Sequence, residues 1–113
     1  MRKANFNPEI KKTIDSILLI NPKVVSGKMF GYPAYYINKK LFACIYEEGL
    51  GVKVPQELAN ELVGNKGIVY FQPSGRARMK EWIQINRENA EEYVKDIEIF
   101  ETSMSFVESL GSK

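Results

Sequence analysis

Four apolar runs lie between residues 24 and 54, and the turns separating them hold about three residues each. A parallel pairing needs a crossover of a dozen or more residues. Turns this short therefore force an antiparallel sheet. The first run, Val24 to Phe30, is interrupted by Ser26-Gly27. Gly31 and Pro33 bracket a bend, where Gly31 is expected at positive φ. Ala34-Tyr35-Tyr36-Ile37 and Leu41 to Tyr46 flank Asn38-Lys39-Lys40, a hairpin spacing in which Asn38 suits a left-handed turn. Glu47-Glu48-Gly49 is the next turn. Leu50, Val52 and Val54 then alternate with Gly51 and Lys53, so that strand has one apolar and one wet face.

Helical patterns surround this block. Asn7 is a good N-cap and Pro8 suits the first helical position. Ile10, Ile14, Ile17 and Leu18 recur at helical spacing, and Asn21-Pro22 stops the run, which predicts a helix over about 8–20. Pro55 opens a short second helix with Leu58, Leu62 and Val63 inward and Gly64 at its end. Ile68 to Phe71 is a further strand, Gln72-Pro73-Ser74-Gly75 a turn, and Arg76 to Ile85 contains another strand centred on Trp82 to Ile85. Asn86 is expected to cap a long final helix whose inward stripe is Ala90, Tyr93, Val94, Ile97, Phe100, Met104 and Val107. Ile99, Phe106 and Leu110 form a second row, and Gly111 is the expected stop. Trp82 is expected to pack beneath this helix.

The expected class is α+β: an N-terminal helix, a largely antiparallel sheet of about five to six strands, a short middle helix, and a long C-terminal helix packed on the sheet. The 113 residues make one domain, spanning 1–113. Composition removes several chemistries. With no His and 1 Cys there is no imidazole acid–base catalysis, no intramolecular disulfide and no thiolate zinc cage. No metal or cofactor is expected. The sequence shows no signal peptide and no apolar run long enough for a membrane span, so the expected location is the cytoplasm.

Charge is unevenly spread. Residues 1–86 hold 13 Lys/Arg and 7 Asp/Glu, while residues 87–113 hold 3 and 7. A mildly basic body thus precedes an acidic tail. In Ser74-Gly75-Arg76-Ala77-Arg78-Met79-Lys80, the cations Arg76, Arg78 and Lys80 alternate along the expected strand and share one face. Such a row contacts phosphates in some proteins, and in others is a solvated strand face or a guarded edge. Lys39 and Lys40 at the hairpin tip, with Tyr35 and Tyr36 nearby, read either as an extension of this row into a basic-aromatic wing or as a plain exposed turn. Gly64-Asn65-Lys66-Gly67 has the Gly-x-x-Gly form of a backbone-clamping loop, but a helix end followed by a turn explains both glycines. Tyr36, Tyr46 and Tyr70 lie in apolar strands, where core packing is the ordinary role. Glu57 and Glu61 read as a solvated helix face, and Cys44 as a buried, inert thiol.

Several segments together resemble the TfoX N-terminal domain family, the Sxy-like group named after bacterial competence regulators. They are Lys28-Met29-Phe30-Gly31, the hairpin Ile37 to Leu41, Leu50-Gly51-Val52-Lys53-Val54, Gly75-Arg76-Ala77-Arg78-Met79-Lys80-Glu81-Trp82, and the closing Phe106-Val107-Glu108-Ser109-Leu110. They span nearly the whole chain in the family's order. Tyr32 stands where a second Gly is frequent, Lys39 replaces the hairpin Gly, and Glu81 replaces a Gly. The resemblance implies an α+β fold without established catalytic chemistry. It also extends, distantly, to the YjbR-type fold, for which DNA binding through paired wings is the usual suggestion.

The expected function is a small non-enzymatic cytosolic binding or regulatory module, with a protein or nucleic acid as partner and a homodimer compatible with it. The alternative is direct DNA binding through Lys39, Lys40, Arg76, Arg78 and Lys80. An enzyme built on a tyrosine-lined pocket is a third reading.

Overall fold

The computed structural model describes residues 6–72 and 80–110. The elements run α1 (Pro8–Leu18), β1 (Val24–Met29), β2 (Tyr32–Ile37), β3 (Lys40–Tyr46), β4 (Gly49–Lys53), α2 (Gln56–Leu62), β5 (Ile68–Tyr70), β6 (Trp82–Ile85) and α3 (Ile97–Leu110), with a 3-10 helix over Ala90–Asp96 leading into α3. The six strands form one antiparallel sheet in the order β1-β2-β3-β4-β6-β5. The α+β expectation therefore holds. The first four strands are a meander. The crossover through α2 then carries β5 to the far edge, and β6 returns between β5 and β4.

The helices lie on one sheet face. Ile10, Ile14 and Leu18 of α1 and Phe100 and Val107 of α3 pack with Tyr35, Ile37, Phe42, Ala43, Ile45, Leu50, Val52, Ile83 and Ile85. Strict alternation would send Phe42 and Ala43 to opposite faces. Both reach the core because Phe42 is an extra residue: Tyr35 faces Ala43 and Tyr36 faces Leu41, a β-bulge. The bulge keeps Leu41 and Cys44 together on the helix-free face.

Three expectations need correction. Asn86 does not cap the last helix. Asn89 does, through a capping box with Glu92, and the first seven residues are 3-10. The change of helix type turns Val94 and Ile97 outward, at 53% and 37% exposure, so they leave the inward stripe. Leu110 likewise is exposed rather than buried. Trp82 is buried, but not beneath α3: it packs with Ala34, Cys44 and Phe71 on the helix-free face. Gly111 and the Pro73-Ser74-Gly75 portion of the expected turn lie outside the described residues.

Candidate functional site

All three meander hairpins turn in two residues, and this places the surface chemistry. Turns of that length favour positive φ at their central positions. Phe30 and Gly31 take φ of 53° and 85°, Asn38 and Lys39 take 52° and 66°, and Glu47 takes 55°. Asn tolerates that region, and Gly31 has no Cβ to resist it. For Phe30, Lys39 and Glu47 the conformation costs about 1 kcal/mol or more each.

The register sets which turns share an end. Lys40 begins β3, Lys53 ends β4, and Trp82 begins β6 opposite Lys53. The Asn38-Lys39 turn, Lys53 and Lys80 therefore occupy one end of the sheet. Lys80 lies in the turn before β6 rather than on the strand itself. Lys39, Lys40 and Lys80 are all exposed. Two other cations here are neutralised: Lys53 pairs with Glu81 at 3.4 Å and Lys23 with Glu108 at 3.3 Å. Arg76 and Arg78 fall outside the described residues, so the expected alternation with Lys80 is not drawn from the structure.

The other end carries the Phe30-Gly31 and Glu47-Glu48 turns. Asn7 ties the start of α1 there, its backbone N–H donating to the Glu47 carbonyl at 3.2 Å and its Nδ2 to Glu48 Oε1 at 3.1 Å. Phe30 projects from this end with 86% of its surface exposed.

Between the ends, the helix-free face carries an aromatic chain. Tyr32 and Tyr46 have centroids 4.8 Å apart, Tyr46 and Phe71 5.5 Å, and Phe71 and Trp82 5.8 Å. Lys53 Nζ sits 5.8 Å from the centre of the Trp82 ring. Gly51 makes room for this chain: a Cβ there would stand 3.1 Å from the Phe71 ring. Tyr36, Tyr46 and Tyr70 are half-buried, not core residues in full. Cys44 lies beneath the same face, 1% exposed, and burial pushes its thiol up to about 12.

On the helix side, two buried tyrosines lock elements together. Tyr35 donates to Asp15 Oδ1 at 2.5 Å, and Lys11 holds the other carboxylate oxygen at 2.7 Å. Burial, then the bond to Asp15, raises the Tyr35 phenol well above its ordinary range. Tyr93 donates to the Ile85 carbonyl at 2.7 Å, and burial raises it to about 12. Beside it, Arg87 makes a two-pronged contact with the buried Asp96, Nε to Oδ2 at 3.0 Å and Nη2 to Oδ1 at 2.7 Å. Its Nη1 donates to the Lys66 carbonyl at 2.9 Å. The bond to Asp96 raises the Arg87 pKa further. These groups are engaged in holding the fold.

Sequence reasoning brought Lys39, Lys40 and Lys80 into consideration, and the fold places them at the same end of the sheet, with β4 between the strands that carry them. It missed Phe30 as a surface residue. The signal was present: a Phe-Gly pair in a two-residue turn places the Phe at a hairpin tip. Glu57 and Glu61 are exposed on α2, as expected of a solvated face. Among the described residues no three His, Cys, Asp or Glu side chains converge to hold a metal ion, and no helix is long and apolar enough to cross a membrane. No family model, curated protein or solved structure matches the chain.

Proposed function

We propose that this chain is a module resembling the TfoX N-terminal domain, which acts in the cytoplasm without catalysis by binding a macromolecular partner. One observation carries the reading. Phe30 spends backbone energy to stand in the left-handed region and leaves an aromatic ring in water at a hairpin tip. Neither feature serves the core, and exposed aromatic anchors are what binding hot spots are made of. The test is Phe30→Gly, which removes the ring and relieves the strain. The variant should melt at or above wild type while losing the partner that immobilised wild-type protein retains from its host lysate. Equal capture by the variant refutes this role for Phe30.

A second reading, direct DNA binding, is favoured by the placement of Lys39, Lys40 and Lys80 at one sheet end. The acidic α3 packs on the opposite face from the Trp82 cluster, contacting β2, β3 and β4. If Arg76 and Arg78 join the three lysines, five phosphates are neutralised. The log–log salt slope is then about −4.5, and affinity falls roughly 500-fold between 50 and 200 mM salt. The expected dissociation constant at physiological salt is weaker than about 10 μM, in the non-specific range. Fluorescence anisotropy with labelled duplex measures it. A submicromolar constant abolished by charge reversal at Arg76 and Arg78 would make DNA binding the function.

A further inference from the structure

The two edges of the sheet are finished differently. The outer strand β5 has three residues, and the outward backbone groups of Ile68 are used locally: its N–H donates to the Asn65 carbonyl at 3.0 Å, and its carbonyl accepts from Gly64 N–H at 3.2 Å. β1, at the other edge, has six residues in unbroken register with β2 and, among the described residues, no other strand beside it. Natural edges are normally blunted by shortness, proline, bulges or charge. β1 has one such guard, Lys28.

The hairpin rule shows which groups β1 offers. A two-residue turn at Phe30-Gly31 makes Met29 and Tyr32 the closing hydrogen-bonded pair. Alternation then makes Gly27–Ala34 and Val25–Tyr36 the other bonded pairs. Val24, Ser26 and Lys28 therefore turn their N–H and C=O away from the sheet. The position of Pro33 opposite Lys28 agrees, since proline has no N–H to give. Val24 N–H is used by the Asn21 carbonyl at 3.0 Å, and the Lys28 carbonyl receives a long bond of 3.4 Å from the Tyr36 hydroxyl. Among the described residues, no partner takes the Ser26 N–H and C=O or the Lys28 N–H.

We propose that a second copy of this chain docks antiparallel along β1, about a two-fold axis at Gly27, joining two six-stranded sheets into one. In that register Ser26 of each copy faces Lys28 of the other, and the outward groups close four backbone hydrogen bonds. The strand is self-complementary there. Its single charge, Lys28, meets a serine and never its own copy, so like charges are not opposed. On the helix-free face, Val25, 61% exposed, meets the half-buried Met29 of the other copy, twice. The Tyr36 ring, which lies 3.2 Å from where a Gly27 Cβ would stand, continues that apolar strip across the axis. A six-residue edge buries less than the roughly 800 Å² per partner of a standard interface, so the dimer is reversible and concentration-dependent.

Sedimentation velocity of the full chain from about 2 to 200 μM tests this, since mass action governs the assembly. Two variants attack the edge. Ser26→Pro removes an outward N–H without touching the β1–β2 ladder, a position where a strand tolerates proline. Val25→Lys places a charge in the apolar strip. The control, Val69→Lys, alters a half-exposed residue on the opposite edge strand. The expected result is a wild-type dimer, matched by Val69→Lys, with dissociation constants raised at least about tenfold in both β1 variants, the loss of one good contact or more. Should Ser26→Pro fail to fold, Val25→Lys decides alone. A wild type monomeric throughout, or a dimer unmoved by Val25→Lys, overturns the proposal; a β1 edge that serves a different protein gives the first of these results.

Discussion

Removing Arg87 is the sharpest test of how the C-terminal helical segment is held. Asp96 is 4% exposed and takes both of its contacts from one guanidinium, which also satisfies the Lys66 carbonyl in the turn before β5. Arg87→Ala leaves a carboxylate buried without a counter-charge, and breaking a buried pair from one side costs about 3–5 kcal/mol. Unfolding entropy near 2.1 cal/mol/K per residue makes 1 kcal/mol worth about 4 °C in a chain of 113 residues. The melting temperature should therefore drop by about 12–20 °C. Removing both partners relieves the unpaired charge, so Arg87→Met with Asp96→Leu should recover at least half of the loss. Thermal denaturation followed by circular dichroism measures wild type, Arg87→Ala and the double variant. A single variant melting within about 3 °C of wild type would show that water reaches Asp96, and the argument from burial would fail.

Gly31→Ala should destabilise by about 1 kcal/mol, because φ there is 85° and a Cβ resists that region; urea titration reads it. Trp82→Ala should cost about 3–5 kcal/mol even though Trp82 lies away from the helices, because it is 7% exposed against Phe71; a loss below 1 kcal/mol by the same titration would contradict this packing. Cys44 should resist thiol reagents in the native protein at neutral pH and react once denaturant is added, since its pKa stands near 12 beneath the sheet face. For Tyr93 the folded pKa of about 12 exceeds the ordinary 10, so its neutral form favours the fold. That contribution is whole below pH 10 and lost on rising toward 12, about 3 kcal/mol in all, visible as stability falling with phenolate absorbance.

The meander was legible because turn length alone forbids crossovers. The position of β5 was not, because nothing in Ile68-Val69-Tyr70 states which edge of the sheet the α2 crossover will reach. The side of Trp82 was legible and misread. Ile83 and Ile85 alternate with Trp82 and Gln84, and the polar Gln84 marks the helix-free face. The helix cap was also legible: Asn89 has Glu92 three residues on, whereas Asn86 has Asn89 there, which cannot complete the same box with a carboxylate. The Arg87–Asp96 pair had no such mark. Its members are joined by a loop and a 3-10 segment, and only the tertiary fold brings them together.

The strained turns bear on how the surface is divided. Glycine would relieve each positive φ by about 1 kcal/mol, so a chain shaped by stability alone would place it at 30 and 39. Phe and Lys stand there instead. These residues sit at opposite ends of β2, whose six residues at about 3.3 Å each separate the two tips by roughly 20 Å. No small ligand spans that distance. An aromatic tip at the end that carries Glu47 and Glu48 and a lysine tip at the end that carries Lys80 therefore make two surfaces of opposite character. Substitutions this far apart, with no shared contacts, act independently. Phe30→Gly and charge reversal at Lys39 and Lys40 consequently report on different partners, so each variant should weaken one partner and leave the binding of the other unchanged. Both variants weakening the same partner, with effects that multiply in the double variant, would mean that one extended partner lies along the whole sheet, across the aromatic chain from Tyr32 to Trp82.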